Sequence, residues 1–271
     1  MSKRALLERE VTTLLEHFLQ DGDAVELKSY ILSHSNLPGP RANLELAAAL
    51  GDAVAGQPSK YRDHLWTLCE ELTGISSEQA PTNDPREFLP FCGAVSIGSM
   101  GATWPHFYKQ ALSMLRALAN DPRWRMREAV CMGLQRLAST RADDTLRELN
   151  GWIAEGSLLE LRAVAAAVAD SALLKNEVSA STALQMHEQI FQRVLAAQDR
   201  RSAEFRALRK GLGYTLSLVI AAMPSEGFAL VSRLIDTRDR DVIWVMKQNL
   251  KKNRLIRRFP EEIESTKRLL N

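Results

Sequence analysis

The chain has 271 residues, 45% apolar and 25% charged, a globular composition that excludes a disordered, fibrous or disulfide-stapled protein. Net charge is only +2, but it is unevenly spread: residues 1–120 hold 10 Lys+Arg against 14 Asp+Glu, residues 121–271 hold 25 against 19, and the segment 199–258 holds 14 against 6. A local basic surface for an anionic partner and a set of solvated helix faces both fit that pattern.

Helix signals follow one another along the chain, and strand signals are nearly absent. The opening "MSKRALLEREVTTLLEHFL" is charged throughout and lacks the apolar core and small-residue cleavage site of a signal peptide. "LPGPRANLELAAALG" predicts a helix starting at Pro40 and stopping at Gly51. "GQPSKYRDHLWTLCEELTG" predicts one from near Pro58 to a terminal glycine, Gly74. In "NDPREFL", Asp84 caps, Pro85 takes the first helical position and Glu87 completes a capping box. "FCGAVSIGSMGA" sets Gly93, Gly98 and Gly101 among small residues, as close helix packing or a break before Trp104–Pro105 requires.

"DPRWRMREAVCMGLQRLA" begins with Asp121 accepting from orphan amides and Pro122 lacking one. Met126, Val130, Gly133, Leu134 and Leu137 then recur at helical spacing as one buried stripe. "SLLELRAVAAAVA" repeats the capping logic with Ser157 and Glu160. "KNEVSAS" reads as an extended loop. "YTLSLVIAAM" is the longest weakly polar run, at 10 residues, whereas a membrane-spanning helix needs about 20. In "MKQNLKKNRLIRRF", Lys247, Lys251 and Arg254 share a face if one helix carries all three.

The unit of helix, short break, helix repeats. Arg127 and Arg162 are 35 residues apart, as are Arg209 and Trp244, and Arg162 to Arg209 spans 47. Helix pairs at such periods cannot bury their own apolar faces singly, and they stack as an α-solenoid. The simplest organisation is a single domain over 1–271. Within it, 1–103 forms a less regular N-terminal cap region, 104–255 holds the clearest repeats, and 256–271 forms a C-terminal helix.

The pattern "D-P-R-W-R-M-R-E-A-V" resembles the HEAT repeat, over roughly residues 104–255. The resemblance implies an all-α fold, a right-handed α-solenoid of HEAT-like helix pairs. Among such proteins, the chain is similar to the bacterial DNA alkylation repair family of alkylpurine DNA glycosylases, whose second helices line a concave, positive DNA groove. That likeness implies groove roles for Trp124, Arg127 and Arg162 at the starts of second helices, and for Trp244, Lys247 and Lys251 in the last repeat. The family's Trp-Asp-rich stretch with its catalytic carboxylate is not found here, and Asp121 reads as a helix cap. If the chain is an enzyme, DNA glycosylase is the implied activity, with no catalytic residue identified.

No other catalytic motif stands. The histidines His17, His34, His64, His106 and His187 are scattered, without a zinc-binding H-E-x-x-H. Cys69, Cys92 and Cys131 make neither a zinc spacing nor a disulfide framework, so buried thiols in a reducing, cytoplasmic setting are expected, with no metal, cofactor or membrane partner. The candidate DNA-binding set is Arg123, Trp124, Arg125, Arg127, Arg162, Arg209, Lys210, Trp244, Lys247, Lys251, Lys252 and Arg254. Each has a plainer alternative. Arg127 can bond an aspartate or loop carbonyl of a neighbouring repeat. Arg123 and Arg125 lie off the apolar stripe and read as solvated or ligand-facing. Trp124 and Trp244 can pack between repeats rather than stack on bases, and Trp66, Trp104 and Trp152 belong to the core. The expected partner of the basic face is duplex DNA or, if the chain is a non-catalytic scaffold, an acidic protein or peptide.

Overall fold

A computed structural model describes residues 3–270, and helices with short connections account for all of its regular structure; no strand occurs among the described residues. The chain divides into two compact units, one ending at Thr140 and the other beginning at Arg141. That division lies well beyond residue 103, where the sequence pattern changes.

The first unit contains α1 (Lys3–Asp21), α2 (Val25–Ser33), α3 (Leu44–Ala55), α4 (Arg62–Thr73), α5 (Phe88–Thr103), α6 (Tyr108–Leu118) and α7 (Trp124–Thr140). α1, α3, α5 and α7 lie side by side in that order, and α2, α4 and α6 pack against this row. α5 is buried on every side from Phe88 to Gly101, as a helix apolar all round must be. Its glycines permit that position. A Cβ on Gly98 would overlap the Cα of Gly133 in α7, and one on Gly101 would come within 2.6 Å of the Ala111 Cβ. Met126, Val130, Leu134 and Leu137 are fully buried, so the stripe of α7 faces where the sequence places it.

The second unit contains α8 (Ala142–Glu155), α9 (Leu158–Val168), α10 (Glu177–Ala196), α11 (Ala203–Ala222), α12 (Pro224–Asp236), α13 (Arg240–Asn249), α14 (Asn253–Ile256) and α15 (Pro260–Leu269). Here α9, α11 and α13 form the row, flanked by α8, α10 and α12. Arg209 meets Asp241, Gly213 meets Trp244 and Gln248, and Ser217 meets Asn249. Both helices advance together through these contacts, so α11 and α13 run parallel. Each unit thus shows the alternating two-row stacking of an α-solenoid of helix pairs. Arg127, Arg162, Arg209 and Trp244 fall on α7, α9, α11 and α13, the row helices.

Several sequence boundaries are corrected. α3 starts after Asn43, whose side chain accepts from the Leu46 amide, and it continues through Gly51 to Ala55. Gly51 does not stop the helix; it makes room for Ser99, Val95 and Arg136. "KNEVSAS" is not an extended loop, because Asn176 caps the 20-residue α10 by accepting from Ser179. The basic tail is not one helix. α13 ends at Asn249 and α14 starts at Asn253, so Lys247, Lys251 and Arg254 do not share a helical face. The buried Asn249 side chain sits at that break, donating to Leu212 O and Val245 O and accepting from the Ser217 amide. The C-terminal helix begins at Pro260 rather than 256.

Candidate functional site

The arginines around the start of α7 are held inside the first unit. Asp121 does not cap α7 as the sequence suggests: the helix begins at Trp124, and the Asp121 carboxylate accepts from the Arg123 amide just ahead of it, at 2.7 Å. The same carboxylate takes the Arg123 Nε and Nη2 at 3.0 and 2.7 Å. The remaining Arg123 N–H groups donate to the carbonyls of Ile75, Ser76 and Ala80 after α4, at 3.0 to 3.3 Å. Those bonds use the whole five-donor capacity of a guanidinium, and the residue is buried. Arg125 is buried too. Its Nη1 meets Glu87 Oε2 at 3.0 Å, while its Nη2 donates to Gly39 O and, at 3.2 Å, to Asn83 Oδ1. Both residues therefore correct the expectation of a solvated or ligand-facing position. The fork suits several carbonyls and a carboxylate at once, and the segments between α2 and α3 and between α4 and α5 supply most of them.

Arg127 is half-buried and donates to Asp121 O and Pro122 O at 2.9 and 3.0 Å, just ahead of its own helix. Trp124 is 43% exposed, with the Arg125 guanidinium 4.4 Å from the ring centroid. It is not core, unlike Trp66, Trp104 and Trp152, which are buried.

In the second unit the same division recurs. The half-buried Arg162 lays its stem against Gly211. Arg209 pairs with Asp241 and lies 4.6 Å from the ring centroid of the half-buried Trp244. Arg200 joins Asp239 and Asp241 and donates to Leu195 O. Its guanidinium lowers the pKa of Asp239 even though partial burial opposes it. Arg193 donates to the carbonyls of Ile153, Ala154 and Gly156 at the end of α8.

What remains is a cationic surface on α11, the end of α13 and the turn into α14. Lys210, Lys247 and Lys251 are exposed, and Lys252 and Arg254 half-buried. Arg254 Nη2 donates to the Tyr214 hydroxyl at 2.8 Å, and its guanidinium lies 4.6 Å from the ring centroid. Lys252 Nζ is 5.3 Å from the same centroid. Tyr214 itself is 49% exposed. Among the described residues, no carboxylate lies in ion-pair range of Lys210, Lys247, Lys251, Lys252 or Arg254. Sequence reasoning missed Tyr214 and the exposed Arg206. Their signal was present: Arg206, Lys210 and Tyr214 stand at i, i+4 and i+8 on one face of α11.

The buried thiols of Cys69 and Cys92 and the buried imidazole of His187 are poorly suited to chemistry. Burial pushes the Cys69 thiol up to about 12 and Cys92 well above its ordinary value, so neither supplies a thiolate. His187 is fully buried and held down to about 4 by loss of solvent; its ring nitrogens contact Ala183 O and Thr215 Oγ1. No group of three or more metal-ligating side chains occurs among the described residues, and no described helix is long and apolar enough to cross a membrane.

No family model matches the chain, and no curated protein sequence matches it. A designed armadillo repeat protein, YIII(Dq)4CqI, is similar at 14% identity over 82% of this chain and 98% of its own, with a TM-score of 0.29. At that score the likeness adds nothing to the helix stacking seen directly.

Proposed function

We propose that the protein is a non-catalytic helical-repeat interaction module, with its partner surface on the basic face of the second unit. One observation supports this above all. Arg123, Arg125, Arg193, Arg200 and Arg209 hold helices and loops of their own unit together, whereas the lysines of α11, α13 and the turn into α14 have no carboxylate partner. A charge left unpaired on a rigid stack is available to a ligand. The three free, buried cysteines accord with a cytoplasmic setting.

Duplex DNA at the same face is the second reading, in keeping with the likeness to alkylation repair proteins. The unpaired lysines favour it, since they could contact phosphates. Its contact set would be Lys210, Lys247, Lys251, Lys252 and Arg254, without Arg123 and Arg125. A glycosylase would further need a free groove carboxylate, and Asp121 is bound to Arg123 at 2.7 Å. Titration with unrelated duplexes at several salt concentrations separates the readings. An interaction module shows no saturable duplex binding at physiological salt. Tight binding to every duplex, with log affinity falling by about 0.9 per phosphate contact per unit of log salt, would replace it with the DNA reading.

A further inference from the structure

Building on the interaction-module reading, we infer that the face formed by Arg206, Lys210, Tyr214, Lys252 and Arg254 is a docking surface for an acidic protein segment, whose carboxylates pair with this row. Arg206, Lys210 and Tyr214 are exposed at successive turns of α11, about 6 Å apart along the axis. Glutamates four residues apart on a partner helix have the same spacing. The Tyr214 hydroxyl accepts its hydrogen bond from Arg254 Nη2 at 2.8 Å, which leaves its own hydrogen to donate outward. Lys252 approaches the same ring. A carboxylate arriving over Tyr214 therefore meets a hydroxyl donor and an ammonium.

Two features favour carboxylates on a protein over a nucleic acid. First, one face of the Tyr214 ring is already covered by the Arg254 guanidinium, so an incoming base would compete with a cation for it. Second, the second unit holds 21 Lys+Arg against 17 Asp+Glu. A duplex presents a phosphate about every 1.7 Å and would meet that unit's acidic surfaces as well. A segment with a few carboxylates needs only the patch, within a screening length of about 8 Å.

The test uses the full chain and two fluorescein-labelled probes, a 20-residue helical peptide with glutamates at every fourth position and a 20-bp duplex. Fluorescence anisotropy is read on the wild type, Lys210→Glu/Lys252→Glu, Lys210→Arg and Tyr214→Phe. The peptide is expected to bind more tightly than the duplex. The double reversal should weaken it by tenfold or more, Tyr214→Phe by a few-fold, and Lys210→Arg hardly at all. Lys210→Gln/Lys252→Gln serves as a milder pair if the reversal alters the far-ultraviolet circular dichroism. Duplex binding tighter than the peptide and lost in the double variant would overturn both this inference and the module reading. Absence of binding by either probe, or peptide binding unaffected by the variants, would overturn this inference alone and leave the module with its surface elsewhere.

Discussion

Replacing Arg125 by Met tests whether the arginines of "DPRWRMR" are seams rather than ligand contacts. Glu87 is fully buried, and Arg125 Nη1 at 3.0 Å is its ion-pair partner. The substitution removes that charge-assisted bond and those to Gly39 and Asn83, and it leaves a carboxylate uncompensated in the interior. Breaking one side of a buried pair costs about 3–5 kcal/mol. With a urea slope of about 2 kcal/mol per molar for a unit of this size, the midpoint of the first unit's transition should fall by about 1.5–2.5 M, read by circular dichroism. The companion Glu87→Leu/Arg125→Met should recover most of the loss. In the wild type, Glu87 Oε1 and Arg125 Nε are buried without hydrogen-bond partners, so the pair is incompletely satisfied and an apolar pair of similar size forfeits little. A loss below about 1 kcal/mol in the single variant, the range of an exposed pair, would refute the reasoning.

Gly98→Ala should destabilise the first unit by about 1–3 kcal/mol or more, the range for overpacking, because the new methyl meets the backbone of Gly133; an unchanged thermal midpoint would show that α5 and α7 can separate. Leu134→Ala, at a fully buried site, should lose about 2–5 kcal/mol, and a loss under about 0.5 kcal/mol would mean that another face of α7 is buried. His187 has a folded pKa of about 4 against an ordinary 6.5, so the unfolded chain takes the proton first. Its contribution is complete above about pH 6.5 and declines as pH falls towards 4, by roughly 3 kcal/mol at about 1.4 kcal/mol per pKa unit. His187→Gln should flatten that part of the pH–stability curve, and an identical slope in both proteins would count against burial of a neutral imidazole.

What was legible in the sequence was local. Asp84 and Ser157 cap as their spacing suggests, because capping is decided within three residues. The stripe of α7 was legible because burial and helical period act together along one segment. The fate of the arginines was not. Arg123 and Arg125 are settled by carbonyls and a carboxylate that arrive from 38 to 86 residues away in the chain, and nothing beside them announces those partners. Glu87 illustrates the same limit: it accepts from the Asn83 amide at 2.7 Å and not from Asp84, whose amide donates to Pro81 O, so no capping box closes, and its burial against Arg125 is a tertiary matter. The break after Asn249 was missed because the basic residues around it suit one helix, while the decisive event is one amide side chain bridging α11 and α13.

The two cations divide the work for a physical reason. The end of every helix leaves carbonyls without partners, and stacking brings many such ends against neighbouring loops. A planar fork with five donors can satisfy several carbonyls from one buried position, as Arg123 does after α4 and Arg193 after α8. A lysine ammonium carries three donors on a strongly hydrated point charge, so burying it against carbonyls is less favourable and it stays outside. In this chain, therefore, arginines engaged by carbonyls, such as Arg123, Arg125 and Arg193, mark seams, whereas the exposed Arg206, Lys210, Lys247 and Lys251 mark the place proposed for meeting an anion. A charge count over 199–258 merges the two populations. Arg200 and Arg209 are already paired with Asp239 and Asp241, and among the cations that are not, those around Tyr214 are the part of that charge proposed to meet a partner.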